Sequence, residues 1–138
     1  MAYTSLYSPS VAVPIEPAVI GPIRVTRTTA NVDLPVQIPW KNCKLVYAYA
    51  VTTTVVATAD FKIDLELDAA SGTEMMTMTL ATASSAVGDL AEATFTDASA
   101  CERLDRDAAD RDRINIEVNL HATGAAAADV WMFFEPMI

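Results

Sequence analysis

The residues of this chain with the most chemical reach are one histidine, His121, two cysteines, Cys43 and Cys101, and a run of alternating acids and arginines from Glu102 to Arg113. Nucleophilic catalysis needs a serine or cysteine with a base in reach, and that base is most often an imidazole. His121 falls on the polar side of an alternating segment with Asn119 as its same-face neighbour, no serine sits in a Gly-x-Ser-x-Gly turn, and neither cysteine has a histidine close by in sequence. Triad chemistry has no seat here, and His121 reads as a solvated or interface residue. A cupin-type metal centre needs two or three histidines with a carboxylate on facing strands, which one histidine cannot supply. Phosphate-cradling glycine loops are missing as well, so no cofactor is expected.

Carboxylates are plentiful. Asp64, Glu66 and Asp68 recur at every second position and share one face of a predicted strand. General acid–base work wants such groups in a cleft that drives their pKa values apart, whereas an alternating strand offers an exposed acidic stripe. In the run ERLDRDAADRDR, Asp105-x-Asp107 has the opening spacing of a calcium loop. The glycine such a loop turns on is absent, and Arg103, Arg106, Arg111 and Arg113 would repel the ion. An ion-pair network in a long loop fits better, with Arg106 and Arg111 as candidate contacts within the domain or across a subunit boundary. The expectation is a protein without a catalytic or metal site.

Composition narrows the function classes further. At 138 residues the chain suits one domain. Its 18 Asp and Glu against 9 Lys and Arg, a formal charge of −9, argue against a surface that grips nucleic-acid phosphates. Polar residues and prolines break every apolar run before it could span a bilayer, and the segment from Met1 to Gly21 lacks the basic start and apolar stretch of a signal peptide. With 52% hydrophobic residues beside that charge, surplus apolar surface is expected either in the core or against other subunits. Cys43 and Cys101 have no metal-ligand spacing; two buried thiols is the simpler reading, with a disulfide between them left open.

The elements that must position these residues are strands. Pro9, Pro14, Pro17 and Pro22 fix φ and remove ladder donors, so residues 1–22 are expected as an extended arm. Pro14-x-x-Pro17 has the spacing of an SH3-type ligand, which chance in an extended segment explains as well. The apolar residues of the arm, Val11, Val13, Ile15, Val19 and Ile20, are candidates for contact with a neighbouring surface. From Ile23 onward the period is two. Phe61, Ile63, Leu65 and Leu67 alternate with Lys62, Asp64, Glu66 and Asp68, and Ile114, Ile116, Val118 and Leu120 alternate with Asn115, Glu117, Asn119 and His121, each a strand with one dry and one wet face. Pro35 marks Val32–Ile38 as an edge strand. Met76, Met78 and Leu80 alternate with threonines as core filling. Two segments, Lys44–Val56 and Val130–Phe134, are apolar on both faces, so Trp131 and Phe133 need cover from a loop, the arm or another subunit. Strands about ten residues apart predict an all-β, antiparallel β-sandwich of jelly-roll kind over residues 23–138.

The stretches LVYAYAVTTTVV, DLELDAASGTEMMTMTL and RDRINIEVNLHATGAAAADVWMFFEP, between Ile38 and Phe134, resemble in texture the small β-sandwich virion proteins of tailed bacteriophages, in particular head decoration or cement proteins. The resemblance implies a non-enzymatic protein made in the host cytoplasm. It would sit on the capsid exterior as a dimer or trimer, bridge major capsid protein subunits, and bind neither nucleic acid nor membrane. The alternative is a carbohydrate-binding or other ligand-binding β-sandwich module of a phage tail or fibre.

Overall fold

The computed structural model describes residues 18–27, 32–39, 42–67, 72–82, 86–105, 112–118 and 124–137. Val11, Val13, Ile15, Arg106, Arg111, Asp107, His121 and Asp68 lie outside them.

The described chain is all-β. Ten strands follow one another: β1 (Ala18–Thr26), β2 (Val32–Gln37), β3 (Asn42–Thr54), β4 (Phe61–Leu67), β5 (Thr73–Leu80), β6 (Leu90–Glu92), β7 (Thr94–Phe95), β8 (Leu104–Asp105), β9 (Arg113–Val118) and β10 (Ala127–Pro136). A short 3-10 turn, Ala98–Cys101, intervenes before β8, capped by Asp97, whose carboxylate accepts from the Ser99 and Ala100 amides. Every pairing among the described strands is antiparallel, although only β4 and β5 pair as consecutive strands.

The strands form two five-stranded sheets. The first runs β1-β10-β3-β6 with β8 added against β3, and the second runs β2-β9-β4-β5-β7. Between β6 and β7 the chain passes from the first sheet to the second at Ala93. One core draws on both: Val25, Leu45, Ala48, Val130, Met132 and Phe134 from the first, Ile63, Leu65, Met76, Met78, Ile114 and Ile116 from the second. Period-two patterning placed these residues inward in β4, β5 and β9, and β2 is an edge strand carrying Pro35 on its outer side. Cys43 and Cys101 are buried separately and form no disulfide.

Two expectations need correcting. The boundary at Pro22 falls inside β1, which begins at Ala18 and pairs with β10 through Ala18↔Phe134, Val19↔Phe133 and Ile20↔Met132. The prolines are tolerated because β1 is an edge strand and the ladder slips at Gly21-Pro22, between Ile20 and Ile23. The acidic stripe on β4 is not exposed: Asp64 is 2% and Glu66 6% accessible, and on β9 the polar Asn115 and Glu117 are buried too. Residue type set the face but not the cover over it. Beyond those readings, Arg27, unremarkable in sequence, is a buried polar centre, donating to the carbonyls of Ala57, Ala59, Asp60, Gly124 and Ala125 and lying 5.8 Å over the Phe61 ring.

Candidate functional site

The first sheet turns one face to the core. Its outer face is built by four strands. β10 contributes Asp129, Trp131, Phe133 and Glu135, the alternates of the buried Ala128, Val130, Met132 and Phe134. β3 lies beside it with Tyr49 opposite Trp131, Tyr47 opposite Phe133 and Val51 opposite Asp129. β1 adds Val19 opposite Phe133 and Arg24 opposite Asp129, and β6 adds Leu90 opposite Val51 and Glu92 opposite Tyr49.

Tyr47 reaches this face through a local irregularity. Leu45 pairs with Phe134 and Tyr47 with Phe133, so Val46 is an extra residue in β3 that shifts the alternation by one. Leu45 and Ala48 consequently both point inward, while Tyr47 and Tyr49 both stand outward. On β1, Gly21 is the residue that lets Trp131 lie down: its φ is +147°, and a Cβ there would come 2.9 Å from Trp131 Cε3 and 2.7 Å from the Val130 carbonyl oxygen.

The result is a contiguous aromatic platform. Tyr49 and Trp131 are nearly parallel, 16° between planes with centroids 6.2 Å apart; Tyr49 and Phe133 are 5.8 Å apart, and Tyr47 and Phe133 5.4 Å. All four rings are half-buried against one another, and Val19 and Leu90 beside them are about half exposed. The charged groups around the rings are mostly paired. Arg24 holds Asp129, and the bond raises its guanidinium pKa; Lys44 lies 3.4 Å from Glu135. The Tyr47 hydroxyl donates to Glu92 at 2.7 Å, which together with burial raises the phenol pKa. An apolar centre with a polar, internally paired rim is the anatomy of a macromolecular contact surface.

Of the residues singled out from sequence, Trp131, Phe133 and Val19 come together here, while Ile20 packs inward against the core from the same strand. Tyr47, Tyr49 and Leu90 complete the platform; the double-sided apolarity of Lys44–Val56 was the signal for the first two, and Leu90 carried none. In the acidic run, the described ends are tied together: the Asp112 carboxylate accepts from the Asp105 amide at 2.9 Å. No cluster of three or more potential metal ligands occurs among the described residues, and no described helix is long and apolar enough to cross a membrane. The Cys101 thiol is pushed up to about 12, by burial first and then by Asp97 and Glu102, which suits packing and not nucleophilic attack.

Neither a protein-family model, nor a curated protein, nor a solved structure matches this chain.

Proposed function

We propose that this chain is a structural virion protein of the phage head decoration kind. In this reading the two sheets are the layers of a jelly-roll-like sandwich, and the outer face of β1-β10-β3-β6 docks on a protein surface: the major capsid protein, a second copy, or both around a symmetry axis. The observation that carries the reading is the platform of Tyr47, Tyr49, Trp131 and Phe133, flanked by the exposed Val19 and Leu90. Aromatic side chains are over-represented at the centres of protein contacts, where large rigid rings release water at little entropic cost. Four strands about 4.8 Å apart and a ten-residue strand roughly 33 Å long give a face of roughly 600 Å² in projection, comparable to the ~800 Å² that each partner contributes to a standard interface. Residue texture supplies the capsid, and the acidic charge suits a protein that faces away from packaged DNA.

The test pairs light scattering on the purified chain with co-sedimentation on capsids lacking decoration. Trp131→Glu and Tyr49→Glu, each placing a charge at the platform's centre, should lower the mass or the bound fraction at least tenfold while the melting temperature moves by only a few degrees. A wild-type monomer that ignores capsids, or variants that associate as the wild type does, would refute the reading.

The near-parallel Tyr49 and Trp131 rings favour a second reading, in which flush aromatics stack on sugar rings of a glycan and the chain is a binding module of a tail or fibre. Saturable binding to a polysaccharide panel, lost in Trp131→Ala, with no capsid binding, would select it.

A further inference from the structure

The outer face of the second sheet holds an arrangement that the proposed docking role does not use. Asp64, Glu66 and Glu117 are each less than a tenth exposed. Asp64 stands directly opposite Glu117 across β4 and β9, and Glu66, the next outward residue on β4, pairs with Asn115 and so sits diagonally across from Glu117. Few counter-charges surround them. Lys62 of β4 lies 3.4 Å from Asp64 and 3.5 Å from Glu74 of β5, and is thereby committed. The Thr77 hydroxyl of β5 donates to Asp64 at 2.7 Å, and the Gly72 amide donates to Glu66. β9 adds Asn115, buried, and Arg113, exposed at the strand's start; β2 sets Asp33 in register with Glu117 and Gln37 with Arg113. Oε1 of Glu66 is buried and accepts no hydrogen bond.

Two carboxylates in contact away from water cannot both be ionised without a large penalty, and an oxygen with no donor compounds it. A single proton removes both difficulties, because the acid form supplies the O–H that the partner carboxylate accepts. We propose that Glu66 keeps its proton in the folded protein and, held neutral beside Glu117, forms a proton-gated clasp between β4 and β9, closed in acidic water and loosened once the proton leaves. Burial, and after it Glu117, pushes Glu66 up to about 7, and burial likewise raises Asp64. The sign follows from linkage. Glu66 has a folded pKa above its ordinary 4.5, so its contribution to stability is fully present below about pH 4.5, is lost as pH rises to about 7, and changes no further above that.

Carboxyl carbon-13 NMR on the full chain, from about pH 4 to about pH 9, tests this directly. One glutamate should titrate near pH 7. Glu117→Gln should bring that midpoint down by about one unit or more, and Glu66→Gln should abolish it and flatten the fall of melting temperature between about pH 4.5 and 7. Amides of β4 and β9, corrected for intrinsic exchange, should exchange at least tenfold faster at about pH 8.5 than at about pH 6. A wild-type titration in which every glutamate completes below about pH 5.5, or one near pH 7 that survives in Glu66→Gln, overturns the retained proton on Glu66. Should Glu66→Gln not fold, the wild-type titration and Glu117→Gln decide the matter. Equal amide exchange at both pH values overturns the clasp even where the titration is found.

Discussion

Arg27 shows how one side chain can gather the carbonyls of two connections that are also joined directly, through the Ala57 amide donating to the Ala125 carbonyl. Its guanidinium presents five donors in a rigid fork, and the carbonyls of Ala57, Ala59, Asp60, Gly124 and Ala125 converge on it from the ends of two connections. The Ala59 bond is 2.7 Å and the Gly124 and Asp60 bonds are 3.1 Å. No carboxylate is needed, because several oriented carbonyl dipoles together stabilise a buried cation. Removing the fork takes the guanidinium donors from the Ala59, Asp60 and Gly124 carbonyls, while those of Ala57 and Ala125 keep backbone donors, and hydrogen bonds to a charged donor each contribute about 1.5–3 kcal/mol. Arg27→Ala should therefore cost ~2–4 kcal/mol in urea melts, and Arg27→Lys should recover less than half of it, since a compact ammonium cannot reach carbonyls arrayed in a plane. Full rescue by lysine would show that charge alone matters. Nothing in the sequence around Val25-Thr26-Arg27 marks this position, because its acceptors lie roughly thirty and a hundred residues away.

At the level of elements, the irregularities matter more than the regular ladders. β1, β3 and β5 each depart from strict pairing: at Gly21-Pro22, at Val46 and at Met75. The first blunts an exposed sheet edge, as does Pro35 on β2, since proline offers no amide to a foreign strand. Association through strand edges is thereby disfavoured, which leaves faces as the route to partners. Gly21 also carries a packing role that can be tested apart from the edge. Gly21→Ala would place a methyl group against the Val130 carbonyl and the Trp131 ring at a φ that side chains rarely adopt. We expect a cost of ~1–3 kcal/mol together with a change in Trp131 fluorescence. A variant with wild-type stability and emission would mean that β1 does not seat the indole. Deleting β1 outright would be a blunter test, because Val25 is fully buried and Ile20 and Ile23 pack on the core.

For the whole molecule, a formal charge of −9 sets two copies against each other at long range. The aromatic face is a natural place for close approach, since Arg24 offsets Asp129 and Lys44 offsets Glu135 within it. If that face mediates self-association, raising the salt from about 20 mM to about 200 mM should tighten the oligomer several-fold by screening the remaining like charge. A contact made instead by ion pairs across the boundary, one of the two roles left open for Arg106 and Arg111, would weaken over the same range. Sedimentation at the two salt concentrations separates these cases.

Local pattern determined a good part of this protein by itself. Alternation in Phe61–Leu67, Met76–Leu80 and Ile114–Val118 dictates strands and their inward residues, because a period of two is a property of the backbone and survives any arrangement around it. Proline on β2 likewise announced an edge. What only the tertiary structure decided is what lies over each face. One extra residue at Val46 inverts the parity of β3, separating Tyr47 and Tyr49 from Leu45 and setting them beside Trp131, a step invisible to a pattern that reads apolar on both sides. Asp64 and Glu66 look solvated for the opposite reason: their polarity points outward, yet Glu117 is brought across from them by pairing over some fifty residues of chain, and burial turns an expected wet stripe into a group of buried acids. Side-chain type sets a preference for water or core, but solvent access depends on neighbours distant in sequence, and those are fixed only when the sheets assemble.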